Sequence, residues 1–189
     1  RIEVVRGASA RIYGVNALLG VINIITKTSN SNGITADANV GTSFVKDDKS
    51  KDLYTNYGVS ARTHLSSERV KQSLSLGINN GNGYRSNTAF EQYKFNYKNV
   101  WHSAQGHRLQ SFVGYTQNDF GANGFYASPA DSTSTEKSST LLASVAYRRN
   151  VSERFKLTPS ISYQYNAADY KFKTNPTVGR NIHYLNMLN

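Results

Sequence analysis

Four histidines, His64, His102, His107 and His183, are the residues best suited to hold a metal or move a proton, and their spacing argues against both. A metal centre needs three or four ligands brought to one point. His102 and His107 flank a single turn, with no third ligand in view. The chain has no Cys, which removes thiolate centres and disulfide frameworks together. No nucleophile elbow, phosphate loop or zinc-protease helix motif occurs in it. The reading is of a chain that is not an enzyme and carries no cofactor. Three aspartates, Asp47, Asp48 and Asp52, cluster oxygens of the kind Ca²⁺ takes. Lys46, Lys49 and Lys51 compete with a cation there, and the order of an EF-hand is missing, so a solvated loop is the stronger reading. Binding of a small molecule has better candidates in Tyr84, Arg85, Phe120, Asn123, Phe125 and Tyr126. Aromatic rings give large contact area at low entropic cost, and a few polar groups fix orientation. The plainer reading of these six is that their loops cover the ends of strands.

Those loops are separated by segments that alternate. Successive side chains of a strand point to opposite faces. In 53–63, Leu53, Tyr57, Val59 and Ala61 oppose Tyr54, Asn56, Gly58, Ser60 and Arg62. Val70, Leu74, Leu76 and Ile78 oppose Lys71, Ser73, Ser75 and Gly77. Tyr93, Phe95 and Tyr97 oppose Lys94, Asn96 and Lys98. Leu109, Val113 and Tyr115 oppose Gln110, Gly114 and Thr116, with Phe112 breaking the pattern. The same alternation runs through 141–148 and 156–165. It predicts strands over 34–45, 53–64, 70–80, 89–100, 108–119, 139–149, 155–166 and 181–189.

Composition narrows the class. Of 189 residues 38% are hydrophobic, and mean hydropathy is −0.54, yet there are 13 Tyr and 8 Phe. Disordered chains are poor in aromatics, so low hydropathy here means surfaces finely divided between apolar and polar. A net charge of +10 suggests a polyanion. Its lysines and arginines are dispersed over many segments, whereas nucleic-acid binding needs one basic face, so nucleic acid is set aside. No stretch approaches the ~18 apolar residues of a membrane helix. The longest apolar run, 18–25, is interrupted by Gly20 and Asn23.

A soluble sheet with one wet face would alternate too. Three features favour a transmembrane barrel. The segments approach the ~9–11 residues that cross a bilayer at a tilt, against about 5–6 for globular strands. Aromatics such as Tyr54, Tyr93, Trp101, Phe120, Tyr147 and Tyr165 collect near strand ends, as interfacial girdles do. Short connections at 65–69, 102–106 and 150–154 alternate with mostly longer ones at 46–52, 81–87, 119–137 and 166–180, as at the two rims of an outer-membrane barrel. The chain opens at Arg1 in one strand-like segment and closes in another, so both ends read as cut.

Residues 1–28 differ in texture from the rest, and Ser29-Asn30-Ser31-Asn32-Gly33 is a turn-rich boundary. They read Arg1-Ile2-Glu3-Val4-Val5-Arg6-Gly7-Ala8-Ser9-Ala10-Arg11-Ile12-Tyr13-Gly14, then Asn16-Ala17-Leu18-Leu19-Gly20-Val21-Ile22-Asn23-Ile24-Ile25-Thr26-Lys27. This resembles the end of the plug domain of TonB-dependent outer-membrane receptors, whose pattern runs I-E-V-x-R-G-P-x-S-x-x-Y-G and then N-A-x-x-G-V-I-N-I-I-T-K. One departure is that Ala8 and Ser9 stand where the family has Pro and a further residue before its Ser, so the segment is one residue shorter. Glu3, Arg6, Gly7, Tyr13, Gly14, Gly20 and Asn23 carry the motif. Glu3 and Arg6 would either pair to hold the plug or stand as two solvated charges.

The resemblance implies an all-β fold. Residues 1–28 would close the plug, and 29–189 would supply about eight antiparallel strands of a roughly 22-stranded transmembrane barrel. It implies active import of a scarce nutrient across the bacterial outer membrane, driven by TonB acting on an N-terminal segment outside this chain. Lipid and lipopolysaccharide would be neighbours, the latter within reach of the lysines of 46–52. The run Asp119-Phe120-Gly121-Ala122-Asn123-Gly124-Phe125-Tyr126-Ala127-Ser128-Pro129 resembles a loop of cobalamin receptors of the Bacteroidetes type. That puts a corrinoid first among ligands, then a ferric siderophore or haem, then an oligosaccharide. The rival classes are a passive porin or autotransporter barrel, which leaves 1–28 unexplained, and a soluble β-rich binding module.

Overall fold

The computed structural model describes residues 2–7, 20–25, 31–46, 51–124, 132–152, 154–172 and 180–188. Among them there is no helix. Two short strands, β1 (Ile2–Arg6) and β2 (Gly20–Ile24), pair antiparallel as a sheet of their own. β-Branched residues dominate both, which suits the pleat. Register sets Ile2 opposite Ile24, Glu3 opposite Asn23 and Arg6 opposite Gly20. A Cβ on Gly20 would stand 2.6 Å from the Val5 carbonyl oxygen, and its φ is +138°, so close backbone approach requires glycine there.

The rest is one antiparallel meander. Its strands are β3 (Gly33–Lys46), β4 (Leu53–Ser66), β5 (Val70–Gly81), β6 (Phe90–His102), β7 (Arg108–Gly121), β8 (Thr135–Asn150), β9 (Lys156–Leu157), β10 (Ser160–Lys171) and β11 (Arg180–Leu188). Each pairs with its predecessor, except that β9 pairs with β8 alone and β10 returns to β8. β3 and β11 are the two edges and are not paired with each other, so these strands form an open sheet.

The alternation read from the sequence becomes two chemically distinct faces. Register aligns Ala36, Ala61, Leu76, Phe95, Tyr115, Leu141 and Tyr165 in one row across seven strands. Register on the opposite face aligns Asn39, Gly58, Asn79, Gln92, Asn118 and Ser138. Cross-strand neighbours of this kind are the unit that stabilises a sheet. The apolar face is the more open one: Val59, Leu76 and Ile78 are 56%, 49% and 46% exposed, while Gly58 is buried. Val100 and Tyr170, both 3% exposed, lie on the polar face. On that face the side chains hydrogen-bond one another. Asn79 Nδ2 donates to Gln92 Oε1 (3.2 Å), Gln92 Nε2 to Asn118 Oδ1 (2.6 Å) and Asn118 Nδ2 to Ser138 Oγ (3.3 Å). In the next row Thr140 Oγ1 donates to Asn166 Oδ1 (2.8 Å).

Two expectations change in detail. The seventh predicted strand, 155–166, is broken into β9 and β10 at 158–159, because Pro159 has no N–H for the ladder, although its carbonyl still accepts from Tyr147 N (3.0 Å). β7 and β8 reach further than expected, so Phe120 sits on a strand, paired with Phe90 and Glu136. Phe112 does lie on the polar face, where its ring covers Gly114 two residues on, filling space that a Cβ would contest at 2.8 Å.

Candidate functional site

The meander sends connections 67–69, 103–107 and 151–155 to one end and 47–52, 82–89, 122–134 and 172–179 to the other. The first set is compact and self-bonded. Ser67 N donates to Val70 O, Ser103 N to His107 O and Val151 N to Phe155 O. His107 Nδ1 accepts from Asn150 N (3.4 Å), and Asn150 Nδ2 donates to Gly106 O (3.1 Å), so both residues clamp neighbouring turns together.

The longer connections carry five of the six expected ligand residues, Phe120 being on β7, and two of these connections are locked together. Arg85 Nη2 donates to the Asn123 carbonyl (2.8 Å), and Asn123 Nδ2 returns a bond to the Ser86 carbonyl (2.6 Å). Asn87 is the hub. Its Nδ2 donates to the carbonyls of Ser132 (3.0 Å) and Ser134 (2.6 Å), and its own carbonyl accepts from Asn123 N (3.3 Å). Asn87 has φ +55°, a left-handed conformation that Asn tolerates better than most residues. Ser134 is fully buried beneath this junction. Arg85 also stacks over the ring of Tyr84, 5.4 Å from its centroid, while Tyr84 itself is 68% exposed.

Beside the lock is a cleft of about 490 Å³, lined in part by Asn82, Asn87, Phe90, Glu91, Asp119 and Phe120. Phe90 and Phe120 are direct cross-strand partners. Of the six expected contact residues, Phe120 lines this cleft, Arg85 and Asn123 tie the loops together, and Tyr84 stands outward. Phe125 and Tyr126 lie outside the described residues, as do Tyr13, Gly14, Asp47 and Asp48. Asp52 stands directly before β4, and no cluster of three metal-ligating groups occurs among the described residues. Glu3 and Arg6 are three apart on β1 and therefore face opposite ways. Gly7 ends that strand with φ +86°.

Asn87 and Ser134 were not singled out from the sequence, since their bond spans 47 residues and neither lies in a motif. A second unforeseen feature is a charged row on the apolar face near the same end. Glu91, Asp119, Lys137 and Asp169 are successive register partners. Arg180 closes on Asp169 through Nε (2.7 Å) and Nη2 (2.8 Å), and Tyr93 O–H donates to the Glu91 carboxylate.

Comparison of the chain with family models, with curated proteins and with solved structures found no match.

Proposed function

We propose that this chain is part of a TonB-dependent outer-membrane receptor, with 1–28 ending its plug and 29–189 contributing the first strands of its barrel. The observation that carries the membrane reading is the inverted exposure of the meander. A sheet of a water-soluble domain turns its apolar face inward and wets its polar face. Here the apolar face is open, and the polar side chains are the ones that satisfy each other. An exposed apolar field spread over seven strands exceeds what a soluble monomer tolerates and calls for a non-aqueous cover. Strands of 12–16 residues in β4–β8 are long enough to cross a bilayer at a tilt. The residue signature of 1–27 favours a gated receptor over an open pore, and the register of β1 with β2 brings its two halves side by side.

The ligand is read as a corrinoid first, from the run 119–129, with a ferric siderophore or haem as the alternative. The cleft under the locked loops offers the needed chemistry, an aromatic pair with amides and carboxylates around it. Equilibrium binding of labelled cobalamin to outer membranes carrying the intact protein, with ferric siderophore and haem as competitors, tests this. Saturable cobalamin binding that weakens when Phe125 and Tyr126 are both changed to Ala is expected. Absence of cobalamin binding by correctly inserted protein removes the corrinoid and moves iron chelates to first place.

A further inference from the structure

The short-turn end of the polar face holds a second, smaller cleft, of about 330 Å³, lined by Arg108, Gln110, Ala146, Arg148, Lys156 and Thr158. Its composition breaks a local rule. Arg108 and Arg148 are direct cross-strand partners on one face, and like charges placed so repel. Lys156, paired with Asn150, adds a third cation beside them. Among the described residues no carboxylate lines the cleft, and neither Arg148 nor Lys156 makes an ion pair.

Arg108 shows that the deficit is local. Its Nη2 donates to Gln110 Oε1 (2.7 Å), but its Nε is buried and has no hydrogen-bond partner among the described residues. An unsatisfied buried donor on a charged group asks for a missing acceptor. The acceptor must be anionic, because it also has to offset three converging positive charges. Guanidinium forks match tetrahedral oxyanions through paired N–H donors. Gln110 and Thr158 add neutral polar groups, and the volume admits a phosphate group with water beside it.

We propose that this cleft binds a phosphate group, supplied either by free inorganic phosphate or by a lipid headgroup at the rim. The inference is independent of the nutrient proposed above and of the loops at the other end.

The test uses the intact protein in non-ionic detergent, melted in sodium phosphate and in sodium chloride at matched ionic strength. A saturable rise in Tm with phosphate is expected, absent with chloride. Arg148→Gln should abolish that rise, yet melt no lower than the parent in phosphate-free buffer, because it removes one of two opposed charges. Arg149→Gln, whose side chain is on the opposite face, should keep the full rise. Transfer to nanodiscs distinguishes the sources. If phosphatidylglycerol, but not phosphatidylcholine, saturates the response, the headgroup is the ligand; if inorganic phosphate still acts in both, free phosphate is. Equal responses to phosphate and chloride overturn the proposal. So does equal loss in the Arg148→Gln and Arg149→Gln proteins.

Discussion

At the scale of single residues, what a side chain costs depends on what its face meets. Leu76 is 49% exposed in the middle of the apolar row, and Ser75 beside it points to the polar face. In water, Leu76→Lys would be nearly neutral, since exposed substitutions usually fall within about 0.5 kcal/mol. Against lipid the same change costs about 2–4 kcal/mol near the midplane. Denaturant unfolding of the intact protein from phospholipid vesicles should therefore show a large loss for Leu76→Lys and a much smaller one for Ser75→Lys. Two small and equal effects would deny that this face meets hydrocarbon. The individual departures from pattern also have physical reasons. Phe112 looks misplaced when only its own strand is read, but its ring supplies the contact area that Gly114 lacks.

Among elements, strands and the places of their connections were legible, and the bonds between connections were not. A period of two is written into every strand because both faces constrain their side chains, and β3 to β8 fall close to their expected ranges for that reason. The split at Pro159 is a local rule of backbone chemistry that alternation alone does not register. The lock between connections 82–89 and 122–134 depends on Asn87 meeting Ser132 and Ser134 across the sheet end, a coincidence that follows only once register is set. The cleft shares that fate: Phe120 was expected as a contact residue, whereas its neighbour across the strand, Phe90, was not. Removing the hub should loosen one corner alone. Asn87→Ala deletes two side-chain bonds and should cost about 1–3 kcal/mol. Amide hydrogen exchange should accelerate at 122–124 and 132–134 and stay unchanged in the 67–69 turn. Uniform acceleration would mean that Asn87 supports the whole sheet rather than this corner.

For the whole molecule the decisive feature is that, among the described residues, the meander ends in two unpaired edges, β3 and β11. Exposed edges of this length recruit other strands, and a barrel removes them by closure. If these strands belong to a closed barrel, the intact protein in detergent protects every amide of β3 and β11 from exchange, including those pointing away from β4 and β10. Rapid exchange at alternate positions of β3 would mean that the sheet stays open. The proposed orientation gives the amide row from Asn79 through Gln92 and Asn118 to Ser138 a further meaning. A channel wall of unengaged amides would be adhesive, seizing each polar solute at every step. In a barrel so oriented much of that grip would already be spent between neighbouring strands, so the wall would wet without holding, and a hydrophilic cargo would slide past it with little friction.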